Sequence, residues 1–208
     1  RAAEYVRSIR PASPCFSASH PTAQSPRSGG PGFGGSVNLN VHVHALVLDG
    51  VFSDERGDHS AGTYLRNPPG SGHAPFSRGG CTLFVKLWQF ARGDLRMVRT
   101  DTVSADWHPG LVTGLTVMPL HEFDGISTAL VRWAPDTRFA PHTHPGGEEI
   151  FVLEGTFRDE HGEYPAGSWL RNPRWSRHTP FTGPEGALIY VKTGHLGAEL
   201  LVPDASFG

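Results

Sequence analysis

Residues 50–76, GVFSDERGDHSAGTYLRNPPGSGHAPF, align without a gap on residues 155–181, GTFRDEHGEYPAGSWLRNPRWSRHTPF. After a slip of one residue in the following loop, LFVK (83–86) falls on IYVK (189–192). An internal repeat constrains a fold more than any local propensity, because both copies must adopt the same supersecondary unit. The 208-residue chain therefore carries two related modules.

The second module reads as short strands: LVTGLTVMPLHEF, ISTALVRWA, RFAPHTH, EEIFVLEG, GSWLRN and ALIYVK. Each is bounded by Gly, Pro or Asp, which supply turn geometry, as at Asp124-Gly125. The whole chain holds 26 Gly and 18 Pro, far too many for a helical protein. The pattern predicts an all-β chain forming an antiparallel sandwich or small barrel.

The first module lacks most of its front half. Of the 29 residues in 8–36, 17 are Ser, Pro or Gly, too few apolar groups to offset the entropy of ordering. An irregular or disordered arm is expected over 1–36, a partial N-terminal module over 37–98 and a C-terminal module over 99–200. The arm is either a linker-like segment with the barrel edge covered by a partner subunit, or an incomplete start.

Composition excludes several classes. A formal charge of -2 without a Lys/Arg run gives no nucleic-acid footprint. No apolar run approaches the roughly 20 residues of a membrane span, and no signal-peptide core is present, so a cytoplasmic location is expected. Cys15 and Cys81 cannot form a disulfide framework or a CxxC zinc ribbon.

The 12 histidines are the unusual count. In HTHPGGEE, residues 142–149, His142 and His144 point to one face of a strand, as bidentate metal capture requires. Pro145-Gly146-Gly147 can turn the chain back and bring Glu148 or Glu149 opposite them. Alternation does not choose between these glutamates, since Ile150 and Val152 follow one face, Phe151 and Leu153 the other, and both faces look buried.

The run HxHxxxExxxxxxG, met by His142, His144, Glu148 and Gly155, resembles the first cupin motif. GxxxxxPxxxxH, met by Gly167, Pro173 and His178, resembles the second. The resemblance implies a tandem cupin, a double-stranded β-helix or jelly-roll barrel with an incomplete first copy. It also implies that His142, His144, Glu148 and His178 ligate one metal ion. Trp175 stands where the second motif usually has Gly, and is expected to narrow the pocket mouth; Thr182 stands where it usually ends in Asn. Within the cupins, the stretch 46–196 resembles the cupin domain of ChrR-type anti-sigma factors and their bicupin relatives more closely. In that family sigma binding resides in a separate helical domain with its own zinc motif, so anti-sigma activity is not implied.

Other groups have plainer readings. Asp159-Glu160-His161-Gly162 and Asp54-Glu55-Arg56-Gly57 read as solvated hairpin turns. Arg171-Asn172-Pro173 and Arg66-Asn67-Pro68 read as turn chemistry, with a carboxylate clamp as the sharper alternative. Trp133, Trp169, Trp175 and Tyr190 are core or cavity lining, and Cys81 is a buried inert thiol. His42, His44 and His73 echo the triad with five residues missing before Gly50. If the strand runs straight back, His44 takes the place of Glu149 and Val43 that of Glu148; if the turn is deleted, the histidines lack an acidic partner. Neither arrangement favours a native metal site.

Imidazole and carboxylate suit zinc, iron, manganese or nickel, so ligand type alone does not name the ion; the resemblance to the ChrR group implies zinc first. A saturated zinc site implies a regulatory or sensory protein. Six-coordinate iron or manganese leaves room for oxygen or a chelating substrate, and implies an oxygenase acting on a small oxygenated molecule. A small-molecule ligand and a homodimer, formed through exposed strand edges, are the expected partners.

Overall fold

The computed structural model describes the backbone of residues 4–9 and all of residues 43–198. The first sheet contains β1 (Glu4–Ile9), β2 (Val43–Asp54), β3 (Gly57–Ser60), β4 (Thr63–Asn67), β5 (Cys81–Leu87) and β6 (Val98–Asp101). Their order is β1-β5-β2-β4-β6, with β3 paired to β2. Next come β7 (His108–Pro109), β8 (Leu115–Phe123), β9 (Ile126–Trp133), β10 (His142–His144), β11 (Glu148–Asp159), β12 (Gly162–Pro165), β13 (Trp169–Asn172), β14 (Ser176–His178) and β15 (Phe181–Thr193). Seven of these form a sheet ordered β12-β11-β15-β9-β8-β7, with β13 on β11, while β10 and β14 pair separately. A 3-10 turn, His195–Gly197, follows β15. The all-β tandem architecture thus appears as expected.

The repeat is explicit in the pairing. β2 and β11 each run for 12 residues. Val43 faces Asn67 in the first module as Glu148 faces Asn172 in the second. Gly50 and Gly155 have φ of 73° and 69°, and a Cβ at either would overlap the carbonyl of Gly80 or Gly186. Both modules need glycine there because the strands bulge at close approach. At the β8–β9 hairpin, Asp124 and Gly125 take φ of 49° and 75°. Two positive φ values in a two-residue loop match the twist of the flanking strands.

Two expectations need correction. Part of the arm expected to be irregular is a strand: Glu4–Ile9 pairs with β5, from Glu4 opposite Lys86 to Ile9 opposite Cys81. Tyr5, Val6 and Ile9 favour extended backbone and precede the Ser/Pro/Gly-rich run; residues 10–36 lie outside the described residues. The module boundary expected at 98/99 also falls inside β6, which pairs with β4 of the first sheet. That partner lies some thirty residues back, beyond what a local pattern reveals.

Alternation along β2 and β11 sorts three cores. Ile150 and Val152 join Leu115, Trp133, Phe157 and Ile189 inside the second module. Ala45 and Val47 join Phe52, Leu65 and Leu83 inside the first. The opposite faces meet: Leu46, Tyr64, Phe84, Met118, Leu130, Phe151 and Tyr190 form one cluster between the sheets. Phe84 stacks on Phe151 with ring centroids 4.3 Å apart. A groove of about 610 Å³ runs along this junction, between Leu46, Leu48, Phe151 and Leu153.

Buried charge closes the same junction. Lys86 of β5 bonds Glu149 of β11, and Glu149 also accepts from His195 Nε2 at 2.6 Å. Lys192, the counterpart of Lys86, donates to the Gln89 carbonyl at 2.8 Å. Arg66 bonds Asp94, which accepts from His121 Nε2 at 2.9 Å. The junction is therefore a packed interior with paired charges, unlike a hinge.

Candidate metal centre

β10 and β14 are short and antiparallel, with His142 opposite His178 and His144 opposite Ser176. That register places the three histidines on one face, because His142 and His144 are two residues apart and His178 is a direct cross-strand neighbour. The turn after β10 is closed by Gly147 N donating to the His144 carbonyl at 3.0 Å. A Cβ at Gly146 would meet the Gly194 backbone and one at Gly147 the Leu196 side chain. Returning on β11, Glu148 shares the inward face of Ile150 and Val152, whereas Glu149 shares the junction face of Phe151. The ambiguity between the two glutamates is thus resolved by which buried face each joins.

His142, His144 and His178 offer ligand atoms that all lie within 4.8 Å of one another. His144 Nε2 and His178 Nε2 are 3.1 Å apart, and Glu148 Oε2 lies 3.5 Å from the first and 3.6 Å from the second. Ligand atoms about 2.1 Å from a common ion stand about 3.0–3.4 Å apart at bond angles between square and tetrahedral. The three imidazoles form a group that could hold a metal ion, with the Glu148 carboxylate a few tenths of an ångström beyond that range.

Burial tunes these groups. It pushes the Glu148 carboxyl up to about 7, opposed by a hydrogen bond from Asn172 and reinforced by the nearby Asp159 charge. His144 is held down to about 4, first by burial and then by His142 and His178. Burial and His142 also lower His178, against the pull of Asp159. His144 and His178 therefore resist holding protons as imidazolium, leaving lone pairs for a metal.

A second layer orients the donors. His142 Nδ1 donates to the Ala140 carbonyl at 3.0 Å, and His178 Nδ1 donates to Asp159 Oδ2 at 3.4 Å. Each contact fixes the tautomer that leaves Nε2 as the acceptor. Asp159 is itself held by His161 N, Gly162 N and the Tyr164 hydroxyl on its other oxygen. Asn172 Nδ2 donates to Glu148 Oε2 at 2.9 Å. Beside the cluster lies a cavity of about 200 Å³, lined by His142, Glu148 and His178 together with apolar side chains.

The model of the ChrR cupin-like domain matches residues 40–91 and 95–197. The chain belongs to the ChrR cupin-like family. The anti-sigma ChrR in complex with SigE from Rhodobacter sphaeroides is 24% identical, with 43% of this chain and 50% of that one covered and a TM-score of 0.40. Two cupin structures align over more of the chain. Lactobacillus farciminis oxalate decarboxylase, in its formate complex, is 12% identical over 77% of this chain and 73% of its own, with a TM-score of 0.57. A cupin 2 conserved barrel domain protein from Leptotrichia buccalis is 12% identical over 75% and 74%, with a TM-score of 0.53. At that identity they report the fold alone. This cupin spans about half the length of the ChrR chain it matches, and no curated protein matches it.

Several sequence readings change within this cupin. Asp159 belongs to a hairpin turn, yet its side chain is only 2% exposed and faces His178; the solvated reading fails for it. Asn172 likewise does more than shape a turn, since it holds Glu148. Neither arginine of the repeated Arg-Asn-Pro motif lines the 200 Å³ cavity: Arg66 is buried at the junction and Arg171 stands outside it, 3.5 Å from Glu149. Trp175, expected to narrow the pocket mouth, is 66% exposed and is not part of the cavity wall. Its φ of 65° carries it outward. Of the four aromatics considered, Trp133 lines the cavity, Tyr190 packs in the junction core and Trp169 is exposed. Cys81 is buried, and burial raises its thiol, as suits an inert group.

In the first module the strand runs straight back, so His44 takes the place of Glu149 and Val43 that of Glu148. His44 Nε2 donates to the Gln89 carbonyl at 3.1 Å, and Tyr64 Oη lies 3.3 Å from Nδ1. His42 lies outside the described residues. Among the described residues, no metal-competent cluster includes His44 or His73.

Proposed function

We propose that the protein holds one divalent cation through His142, His144, Glu148 and His178, and that the loaded centre binds a small molecule in a regulatory or sensory role. The convergence of three imidazoles within 4.8 Å carries this reading. Zinc is the first candidate, because three neutral imidazoles and one carboxylate satisfy its tetrahedral preference. Iron, manganese and nickel accept the same donors.

A second reading, an iron- or manganese-dependent oxygenase or related enzyme, draws on a specific observation. The cavity reaches His142, Glu148 and His178 directly, so a six-coordinate ion would have room for exogenous ligands. X-ray absorption on protein loaded with each ion, paired with oxygen-uptake measurements, separates the two. Four-coordinate zinc without oxygen uptake by the iron or manganese forms supports the sensor; six-coordinate iron or manganese with ligand-dependent oxygen uptake supports the enzyme.

We further propose a homodimer, on the general tendency of sheet edges to pair. Light scattering giving one chain per particle contradicts it.

A further inference from the structure

The groove of about 610 Å³ at the junction shares no lining residue with the cavity beside the histidines, and its size falls within the roughly 300–1,000 Å³ of small-molecule sites. Its floor is a product of the repeat. The pairing of β2 with β5 slips between Val47 and Asp49, and that of β11 with β15 between Val152 and Glu154, so Leu48 and Leu153 are the bulged residues of the two modules. A bulge re-aims the side chain it carries. Both leucines line the groove, beside Leu46, Phe151, Leu130 and Leu188. Leu48, Leu153 and Leu188 are only partly buried against the junction core, which leaves apolar surface for a ligand to cover. At one rim Val103 stands over Gly62; at the other, a Cβ on Gly167 would meet nothing, so the groove is open on that side.

Two charged side chains of opposite sign, Arg132 and Glu154, complete the wall. The Arg132 guanidinium lies over the Trp107 ring, 4.2 Å from its centroid, and no carboxylate among the described residues pairs with it. Held over the indole face, it keeps N–H groups open to a carboxylate. Glu154 of β11 pairs with Leu188 of β15, which pairs with Arg132 of β9. At about 4.8 Å per strand, the two charged positions stand about 10 Å apart across an apolar floor. One end of the groove therefore attracts negative charge and the other repels it.

We propose that the groove takes an amphiphile bearing a single carboxylate, of the fatty-acid type. Its chain lies on Leu48, Leu153 and Leu188, and its carboxylate accepts from Arg132, away from Glu154. The site is separate from the histidine cluster and does not depend on a metal there.

Calorimetric titration of the full chain with straight-chain carboxylates, below the concentrations at which they form micelles, tests this. Octanoate should bind once per chain, and each methylene added from hexanoate to decanoate should tighten binding roughly threefold. Octanedioate, equal in length but with a second charge, should bind about fivefold more weakly or worse. Arg132→Gln should weaken octanoate about fivefold while leaving 1-octanol within about twofold, and Glu154→Gln should narrow the discrimination against octanedioate. Both side chains are exposed, so neither substitution threatens the fold. Adding zinc should leave the affinity for octanoate unchanged. No saturable binding, an affinity independent of chain length, or an unchanged affinity in Arg132→Gln overturns the proposal. A dependence on zinc also overturns it, by placing the carboxylate at the histidine cluster. Dimers that Leu153→Gln dissociates, with no octanoate bound, would assign the groove to a second copy of the chain and overturn it as well.

Discussion

Burial holds the Glu148 carboxyl at about 7 and the His144 imidazole at about 4, so protons compete with a metal first at the carboxylate. Between those values one proton leaves Glu148 for each ion bound, and affinity should fall about tenfold per pH unit below 7. Below about pH 4 the His144 imidazole joins and the fall steepens. From the sequence, ordinary histidines would release metal below about pH 6; the structure moves the onset upward and assigns it to the acid. A chelator-competition titration between pH 5 and 7 checks this: Glu148→Gln should bind more weakly and with a shallower profile, and an unchanged slope would contradict the assignment. Asp159→Asn should lower metal affinity about 10- to 100-fold by releasing the His178 tautomer, whereas Asp54→Asn, at the matching site of the first module, should not change it. The proposed ligands were legible because their spacing is a motif. Asp159 was not, because a hairpin aspartate reads as solvated until its side chain is seen facing inward.

At the level of strands and turns, the repeat already located β2 and β11, and the Asp124-Gly125 hairpin was legible from turn chemistry alone. What alternation could not decide was which buried face of β11 enters the barrel and which meets the other module, since both are apolar. Long-range pairings such as β6 on β4 were hidden for the related reason that register depends on residues far apart in the chain. Gly155 tests the element directly. Its positive φ and the overlap of any Cβ with the Gly186 carbonyl make Gly155→Ala destabilising by about 3 kcal/mol or more. Gly79→Ala, with open space around it, should stay within about 0.5 kcal/mol of wild type. Urea unfolding of both variants provides the measurement, and equal midpoints would contradict the role given to the bulge.

Across the whole molecule, the two modules are joined by aromatic packing and by the Lys86–Glu149–His195 contacts. Burial pushes Glu149 up, but His195 and Lys86 outweigh it and hold the carboxylate well below its usual range. Burial holds His195 down to about 4, and it lowers His44 well below the ordinary value. In these histidines the unfolded chain binds protons that the folded chain refuses, so stability is lost as pH falls from about 6.5 toward 4. His195 alone should cost about 2 kcal/mol between pH 7 and pH 5, read as the difference between wild type and His195→Gln in urea unfolding of metal-free protein, because Glu148, held up near 7, contributes in the opposite sense. None of this junction was legible in the sequence beyond the repeat itself, because Lys86 and Glu149 meet only once two sheets pack. The central claim concerns the second module, and anomalous scattering at the zinc edge tests it most directly, on crystals grown near pH 7.5 with zinc present. One peak per chain within about 2.3 Å of donor atoms from His142, His144, Glu148 and His178 is the predicted result; well-ordered imidazoles with no peak between them would contradict it.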